Sequence, residues 1–262
     1  MAEQHIRFDD GAAYERMMGQ WSRIAGNVFL DWLDLDSRLR WVDVGCGNGA
    51  FTELLVARCD PTGVEGLDPS PEQIAFAQQR PCASLARFRQ GDAMNMPYAN
   101  DDFDAAIMAL VIFFVPAPAK GVAEMCRVVK PGGVVAAYAW NVLAGMSPGG
   151  EFRDELAELG ISTPLPPSAD ASRLDTMETL WREAGLVDVE TREISVERTF
   201  ADFDDAWEIT TLVPSLAPTI AAMEPSKVEV LKQRLAARLT PHADGTVTCS
   251  ASANAVTGRV PG

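Results

Sequence analysis

Two carboxylates flank a run of alternate glycines. Asp43 precedes Gly45, Gly47 and Gly49, and Asp68 ends the apolar run Gly63-Val-Glu-Gly-Leu-Asp68, nineteen residues after the last of these glycines. Glycines at such spacing let a ligand lie against bare backbone, because no Cβ blocks the approach. The N–H groups that open a following helix, with the positive end of its dipole, favour an anionic group such as a carboxylate or phosphate. An acid at the distance of Asp68 is placed to accept both hydroxyls of a ribose. Each acid also has a plainer reading. Asp43 can satisfy backbone donors beside a helix start, and Asp68 can cap a helix ahead of Pro71, although Ser70 sits next to that proline and caps well. The spacing G-x-G-x-G is one residue shorter than the dinucleotide fingerprint G-x-G-x-x-G.

The elements that must hold these residues follow from hydropathy. Val42 and Val44 suit a buried strand, and Phe51, Leu54, Leu55 and Arg58 continue as a helix that Asp60-Pro61 ends. Val64 to Leu67 reads as a second strand. Ser70-Pro71-Glu72 opens a helix to about Gln79 with a cap, a first-turn proline and an acid near the dipole. Arg87 to Gln90 makes a short third strand. Phe103 to Phe114, apolar apart from Asp104, reads as the central fourth strand of a sheet covered on both faces. Ala117 to Val129 is expected as a helix with Val122, Met125 and Val129 on one side. Lys130-Pro-Gly-Gly133 should stop it before a fifth strand, Val134 to Trp140. This alternation commits the chain to a doubly wound α/β fold with right-handed crossovers.

With these pieces in place the sequence resembles the class I S-adenosylmethionine-dependent methyltransferases, in particular the small-molecule branch that includes quinone C-methyltransferases. The resemblance rests on Val42-Asp-Val-Gly-Cys-Gly-Asn-Gly49, Gly66-Leu-Asp-Pro-Ser70, Gly91-Asp-Ala93, Asp101-Asp-Phe-Asp104 and Lys130-Pro-Gly-Gly133, in the family's order and at its spacing over about residues 40–140. It implies S-adenosyl-L-methionine as cofactor. Gly45, Cys46 and Gly47 would pass under its methionine part, Asp43 would orient the ammonium, and Asp68 with Pro69 would hold the ribose. Asp92 and Ala93 would meet the adenine, and Ala109 and Leu110 would close the site. For Asp92 a plain Asx-turn is the competing reading. The resemblance also implies a Rossmann-like, seven-stranded, mostly parallel sheet of order 3-2-1-4-5-7-6 with helical cover insertions.

Outside the core the pattern is less regular. Tyr14, Met17, Met18, Trp21, Ile24, Val28, Leu30, Trp32 and Leu33 recur at mainly helical spacing, as one long helix or two short ones. Tyr14, Met18 and Trp21 read equally as a core stripe and, by the resemblance, as part of a segment folded over the cofactor; Tyr14 and Trp21 count as candidate cofactor contacts. Residues 142–171 break the pattern around a short helical piece. Ser172-x-x-Asp175 reads as a capping box opening a helix to Ala184 with Gly185 past its end. A sixth strand starts at Val187, where Val187, Val189 and Thr191 occupy odd positions but Ile194 and Val196 even ones, so a bulge is expected between Thr191 and Ile194. Residues 201–240 read as a helical insertion, and Val247 to Val256 alternates as an antiparallel last strand. One methyltransferase domain over 1–262 is expected: a helical cover at 1–36, a cofactor-binding core at 37–141 and substrate covers at 142–171 and 201–242. Acceptor contacts would come from Phe113, Phe114, Trp140, Asn141 and Trp207.

Composition narrows the classes. The formal net charge of −15 works against phosphate neutralisation and anionic membrane surfaces, so nucleic acid is not expected as a partner. No apolar run reaches bilayer-spanning length, and no targeting leader is evident, so a protein without membrane insertion in the cytoplasm is expected. Five cysteines (Cys46, Cys59, Cys82, Cys126, Cys249) are odd in number and lack C-x-x-C spacing, suggesting reduced thiols rather than a disulfide framework or a metal site. Only two histidines exist, His5 and His242, and the segment Val111-Ile-Phe-Phe114 carries none. A small, largely apolar or aromatic acceptor methylated without an imidazole base is therefore expected. The alternative function is a regulator or pseudoenzyme that keeps the cofactor pocket without turnover; a nicotinamide oxidoreductase is disfavoured by the short glycine spacing and the lack of a Ser/Tyr-x-x-x-Lys relay. Oligomeric state is left open.

Overall fold

The structure, a computed structural model, describes residues 15–262. Seven strands form one sheet of order β3-β2-β1-β4-β5-β7-β6: β1 Arg40–Val44, β2 Gly63–Asp68, β3 Ala86–Gln90, β4 Phe103–Ala109, β5 Val129–Trp140, β6 Val187–Phe200 and β7 Val247–Arg259. The first five are parallel, and β7 runs antiparallel between β5 and β6. The expected doubly wound order therefore holds. Trp41, Val42, Asp43 and Val44 of β1 are all fully buried, as a strand covered on both faces requires.

Nine α-helices accompany the strands among the described residues: α1 Gln20–Leu33, α2 Ala50–Cys59, α3 Pro71–Ala77, α4 Pro118–Val128, α5 Gly150–Glu158, α6 Leu174–Glu183, α7 Phe203–Thr210, α8 Ala217–Ala221 and α9 Pro225–Arg238. A π-helical turn, Glu15–Gly19, leads into α1. Ser70 caps α3 as its position suggests, accepting from Gln73 N at 3.2 Å. On the far side of the sheet the Trp181 indole of α6 donates to Val135 O of β5 at 2.8 Å. No helix among the described residues is long and apolar enough to cross a membrane.

Four expectations are corrected. The fourth strand ends at Ala109 rather than Phe114, because Leu110 takes a left-handed backbone (φ 64°) and donates its N–H to Tyr138 O. Residues Ile112–Phe114 then coil into a 3-10 turn at the sheet's carboxyl edge. Val129 belongs to β5, not to the preceding helix, and the Lys130-Pro-Gly-Gly133 run is an irregularity inside that strand, between the pairs Phe103–Val129 and Ala105–Val134. Ser172 is not a cap: its hydroxyl donates to Ala169 O, while Asp175 pairs with Arg173 and accepts from Thr176 N. The expected bulge between Thr191 and Ile194 is absent. The β6–β7 ladder is continuous from Glu190 to Phe200, and the register shifts earlier, between Val187 and Glu190, where Asp188 has φ 50°. Beyond that shift Ile194, Val196, Arg198 and Phe200 are buried at alternate positions, while Val187, before it, is 46% exposed and Val189 packs partly buried against the core.

Candidate functional site

The carboxyl ends of β1, β2 and β4 open onto a cavity of about 400 Å³. Its floor is the turn after β1. Gly45 N and Cys46 N both donate to Leu67 O of β2 (2.7 and 3.0 Å), which hangs the turn from the neighbouring strand. Gly45, Gly47 and Gly49 all have positive φ. At Gly45 the requirement is steric as well, since a Cβ there would meet Val111 Cγ1 at 2.4 Å. Gly49 ends the turn and starts α2, whose first free N–H, on Ala50, donates to the Asn48 side-chain oxygen at 3.2 Å.

Asp43 is wholly enclosed beneath this turn and lines the cavity. One carboxylate oxygen, Oδ2, accepts from Thr52 Oγ1 at 2.6 Å, and the other, Oδ1, has no partner. It does not cap the helix backbone. Burial pushes its pKa up to about 7, the Thr52 hydrogen bond pulls it down, and the charge of Asp68 raises it. A buried carboxylate that lines a cavity and keeps one orphaned oxygen is a seat for a cationic donor.

Asp68, at the end of β2, also lines the cavity. Its Oδ2 accepts from Gly47 N and its Oδ1 from Ser70 N, both at 2.9 Å. A carboxylate offers about four lone-pair sites, so each oxygen retains one for a ligand. Burial raises its pKa and these two backbone bonds lower it. Pro69 follows in the lining. Asp92 and Ala93 line the cavity beyond β3, and Asp92 makes the Asx-turn, accepting from Met94 N at 2.8 Å. Ala109 and Leu110 close the far side. Cys46 lies in the lining with its thiol pushed up by burial and by Asp43 and Asp68, so it is held neutral.

Ten of the sequence-predicted residues therefore meet around one space. Trp21 does not: it is 3% exposed and meets Trp140 edge-on, centroids 6.3 Å apart, while the next residue of α1, Ser22, reaches the cavity. Tyr14 and His5 lie outside the described residues. Ser22, Asn48, Gln73, Val111 and Tyr138 complete the lining without having been singled out. For Asn48 the neighbouring glycines were a usable signal; for Tyr138, in mid-strand, there was none.

A second, smaller cavity of about 80 Å³ adjoins the first, with Leu110 and Phe114 in both walls. Phe113, Phe114 and Trp140 line it as expected of acceptor contacts. Asn141 and Trp207 do not. Asn141 N donates to Ser252 O, and Trp207 packs on Phe152 with centroids 5.5 Å apart. His242 sits in an exposed loop against Thr248 Oγ1, away from both cavities.

Residues 42–137 match the family described as a methyltransferase domain. A stretch of 117 residues is 38% identical to 2-methyl-6-phytyl-1,4-hydroquinone methyltransferase 2 of Oryza sativa subsp. japonica, covering 44% of this chain and 34% of that protein. A stretch of 99 residues is 40% identical to the demethylmenaquinone methyltransferase of Desulfitobacterium hafniense, covering 36% of this chain and 39% of the relative. The match thus spans between a third and two fifths of the length of these curated relatives. In structure the chain is similar to phosphoethanolamine N-methyltransferase 2 of Haemonchus contortus in complex with S-adenosyl-L-methionine, with TM-score 0.59 and 18% identity over 97% of this chain and 58% of that one. The strand order, the glycine turn and the matched segment thus agree with the resemblance to the class I S-adenosylmethionine-dependent methyltransferases, and residues 42–137 match a methyltransferase domain.

Proposed function

We propose that the chain transfers a methyl group from S-adenosyl-L-methionine to a small, apolar or aromatic metabolite. The observation that carries this reading is the pair of acids lining one cavity, Asp43 with an orphaned Oδ1 and Asp68 with each oxygen braced by a backbone N–H. Asp43 fits the ammonium of the methionine part, Gly45 to Gly47 the chain above bare backbone, and Asp68 with Pro69 the ribose. Asp92, Ala93, Ala109 and Leu110 surround the place left for the base. When bound, the sulfonium supplies an electrophilic methyl, displaced in line as the acceptor's electron pair forms the new bond and the C–S pair stays on sulfur. The protein's own work is then to orient and to exclude water.

The same reading treats residues 1–262 as one domain, with 1–36, 142–171 and 201–242 covering the core 37–141. The hydroquinone and demethylmenaquinone in the relatives' names support a flat, apolar acceptor, as do the aromatics of the second cavity. Free thiols at all five cysteines suit a reducing, cytoplasmic setting.

Titration calorimetry tests the assignment. S-adenosyl-L-methionine should bind and NAD should not. Asp68→Ala should weaken binding at least tenfold, since hydrogen bonds to a charged acceptor contribute ~1.5–3 kcal/mol each. Unchanged affinity in that variant would refute the ribose assignment. Because Asp68 also braces Gly47 N, Asp68→Asn should lose affinity while keeping more of the fold's stability than Asp68→Ala.

A further inference from the structure

The second cavity is lined by a cation that makes no ion pair with a described residue. Arg153 of α5 lines it, donating from Nη1 to Ser147 Oγ (2.9 Å) and Pro148 O (3.1 Å) and from Nη2 to Ser215 Oγ (2.7 Å). All three acceptors are neutral. Of the carboxylates beside it on α5, Asp154 pairs with Arg238 at 2.7 Å and Glu155 with Arg234 at 2.6 Å, while Glu151 acts on Arg153 through space without an ion pair. No carboxylate among the described residues lies within ion-pairing distance of Arg153. In a chain with 37 acidic and 22 basic side chains this is against the odds. Burial pulls the guanidinium down to about 10, whereas Asp154 and Glu151 act only through space to raise it. An enclosed charge without a counter-ion is costly, and an anionic ligand would relieve that cost.

A second donor waits in the same wall. Trp140 is 4% exposed, and its Nε1–H has no acceptor. Arg153 keeps its Nε–H and one Nη2 hydrogen unused, which is the fork that receives an oxyanion. The remaining wall is apolar, with Met17, Phe113, Phe114, Leu165 and Pro214.

We propose that this cavity is the acceptor site, and that Arg153 with Trp140 Nε1–H selects an acceptor carrying an anionic oxygen, a carboxylate or a phenolate, on a flat apolar body. The proposal rests on the methyltransferase reading and names the substrate class for it. Its chemical consequence is a way to dispense with histidine. A guanidinium beside a phenol lowers the phenol's pKa, so the acceptor arrives with its proton already lost to solvent and its electron pair available.

The test uses 2-naphthoate and its neutral counterpart 2-naphthamide, titrated into the full-length protein with and without S-adenosylhomocysteine. Naphthoate should bind at least tenfold more tightly than the amide. Arg153→Met should reduce that preference to near unity while leaving S-adenosylhomocysteine affinity unchanged, and Trp140→Phe should weaken naphthoate severalfold. Equal binding of the two probes to the wild type, or a preference that survives Arg153→Met, would overturn the assignment. Where Arg153→Met does not fold, Trp140→Phe decides, and unaltered naphthoate affinity there overturns it as well. Failure of S-adenosylhomocysteine to bind the wild type would instead strike the cofactor reading, with the naphthoate preference still judging Arg153.

Discussion

Thr52 Oγ1, in the first turn of α2, donates to Asp43 Oδ2 at 2.6 Å, and this bond opposes the burial that raises the carboxyl's pKa. Burial holds the Asp43 proton up to about pH 7, against 3.8 for an ordinary aspartate. The folded state thus binds a proton that the unfolded chain has lost. Asp43's contribution to stability is fully present below about pH 4 and is lost as the pH rises through about 7. A ligand ammonium against Oδ1 reverses the preference by favouring the carboxylate.

Cofactor affinity should therefore rise with pH up to about 7, by no more than about tenfold per unit, and binding at pH 6.5 should release a proton. Calorimetry of S-adenosyl-L-methionine in buffers of different ionisation enthalpy measures that proton. Thr52→Ala removes a bond that lowers the pKa, so it should move the midpoint to higher pH; Asp43→Asn should bind weakly and without pH dependence. A flat profile in the wild type would refute the role of Asp43.

Gly45 and Gly47 predict opposite kinds of damage. An alanine at Gly45 (φ 78°) would drive its Cβ to within 2.4 Å of Val111 Cγ1, a branched side chain with little freedom to move. Left-handed strain of ~1–2 kcal/mol and overpacking of ~1–3 kcal/mol then add. At Gly47 (φ 51°) nothing lies within 4 Å, so only the backbone strain applies, and the added methyl projects where the ligand is to lie. Gly45→Ala should lower the urea midpoint clearly more than Gly47→Ala, and Gly47→Ala should lose more cofactor affinity than its stability change explains. The reverse ranking in urea would contradict the steric account.

The same contrast shows what was legible in the sequence. Backbone demands are written in residue type, so the glycine turn, Asp68 and Asp92 were readable, and with them the strands that end there. The acceptor cavity was not. Arg153, Trp140 and Ser215 come from a helix, a strand end and a loop far apart in sequence, and only packing shows that Asp154 and Glu155 have turned away to other arginines. The apolar run to Phe114 read as strand because hydropathy cannot register the left-handed turn at Leu110. Trp21 misled for a related reason: helical spacing located a face of α1 but not its rotation, and the rotation gives Ser22 to the cavity and Trp21 to Trp140.

The last prediction concerns Arg80, whose side chain is 9% exposed and joins the glycine turn to α2 and to the segment before α1. Its Nε donates to Asn48 O in the glycine turn, Nη1 pairs with Glu53 of α2 at 2.8 Å, and Nη2 pairs with Glu15 at the start of the π-helical turn. The middle of that turn is held by Arg198 Nη1, which donates to Met17 O at 2.8 Å. Glu15 and Glu53 are each about a third exposed, so solvent screens those pairs to at most ~1 kcal/mol apiece, and the lost Asn48 carbonyl bond adds about as much. Arg80→Met should cost ~1–3 kcal/mol in all. Lysine cannot replace the planar fork and should recover only part of it. The loss should be local, because what the guanidinium fastens is the segment leading into α1 rather than the sheet. Amide exchange at residues 15–19 should therefore accelerate well beyond the change in global stability, with cofactor affinity falling alongside, whereas acceleration spread evenly over β1, β4 and β5 would mean that Arg80 supports the core and not the cover.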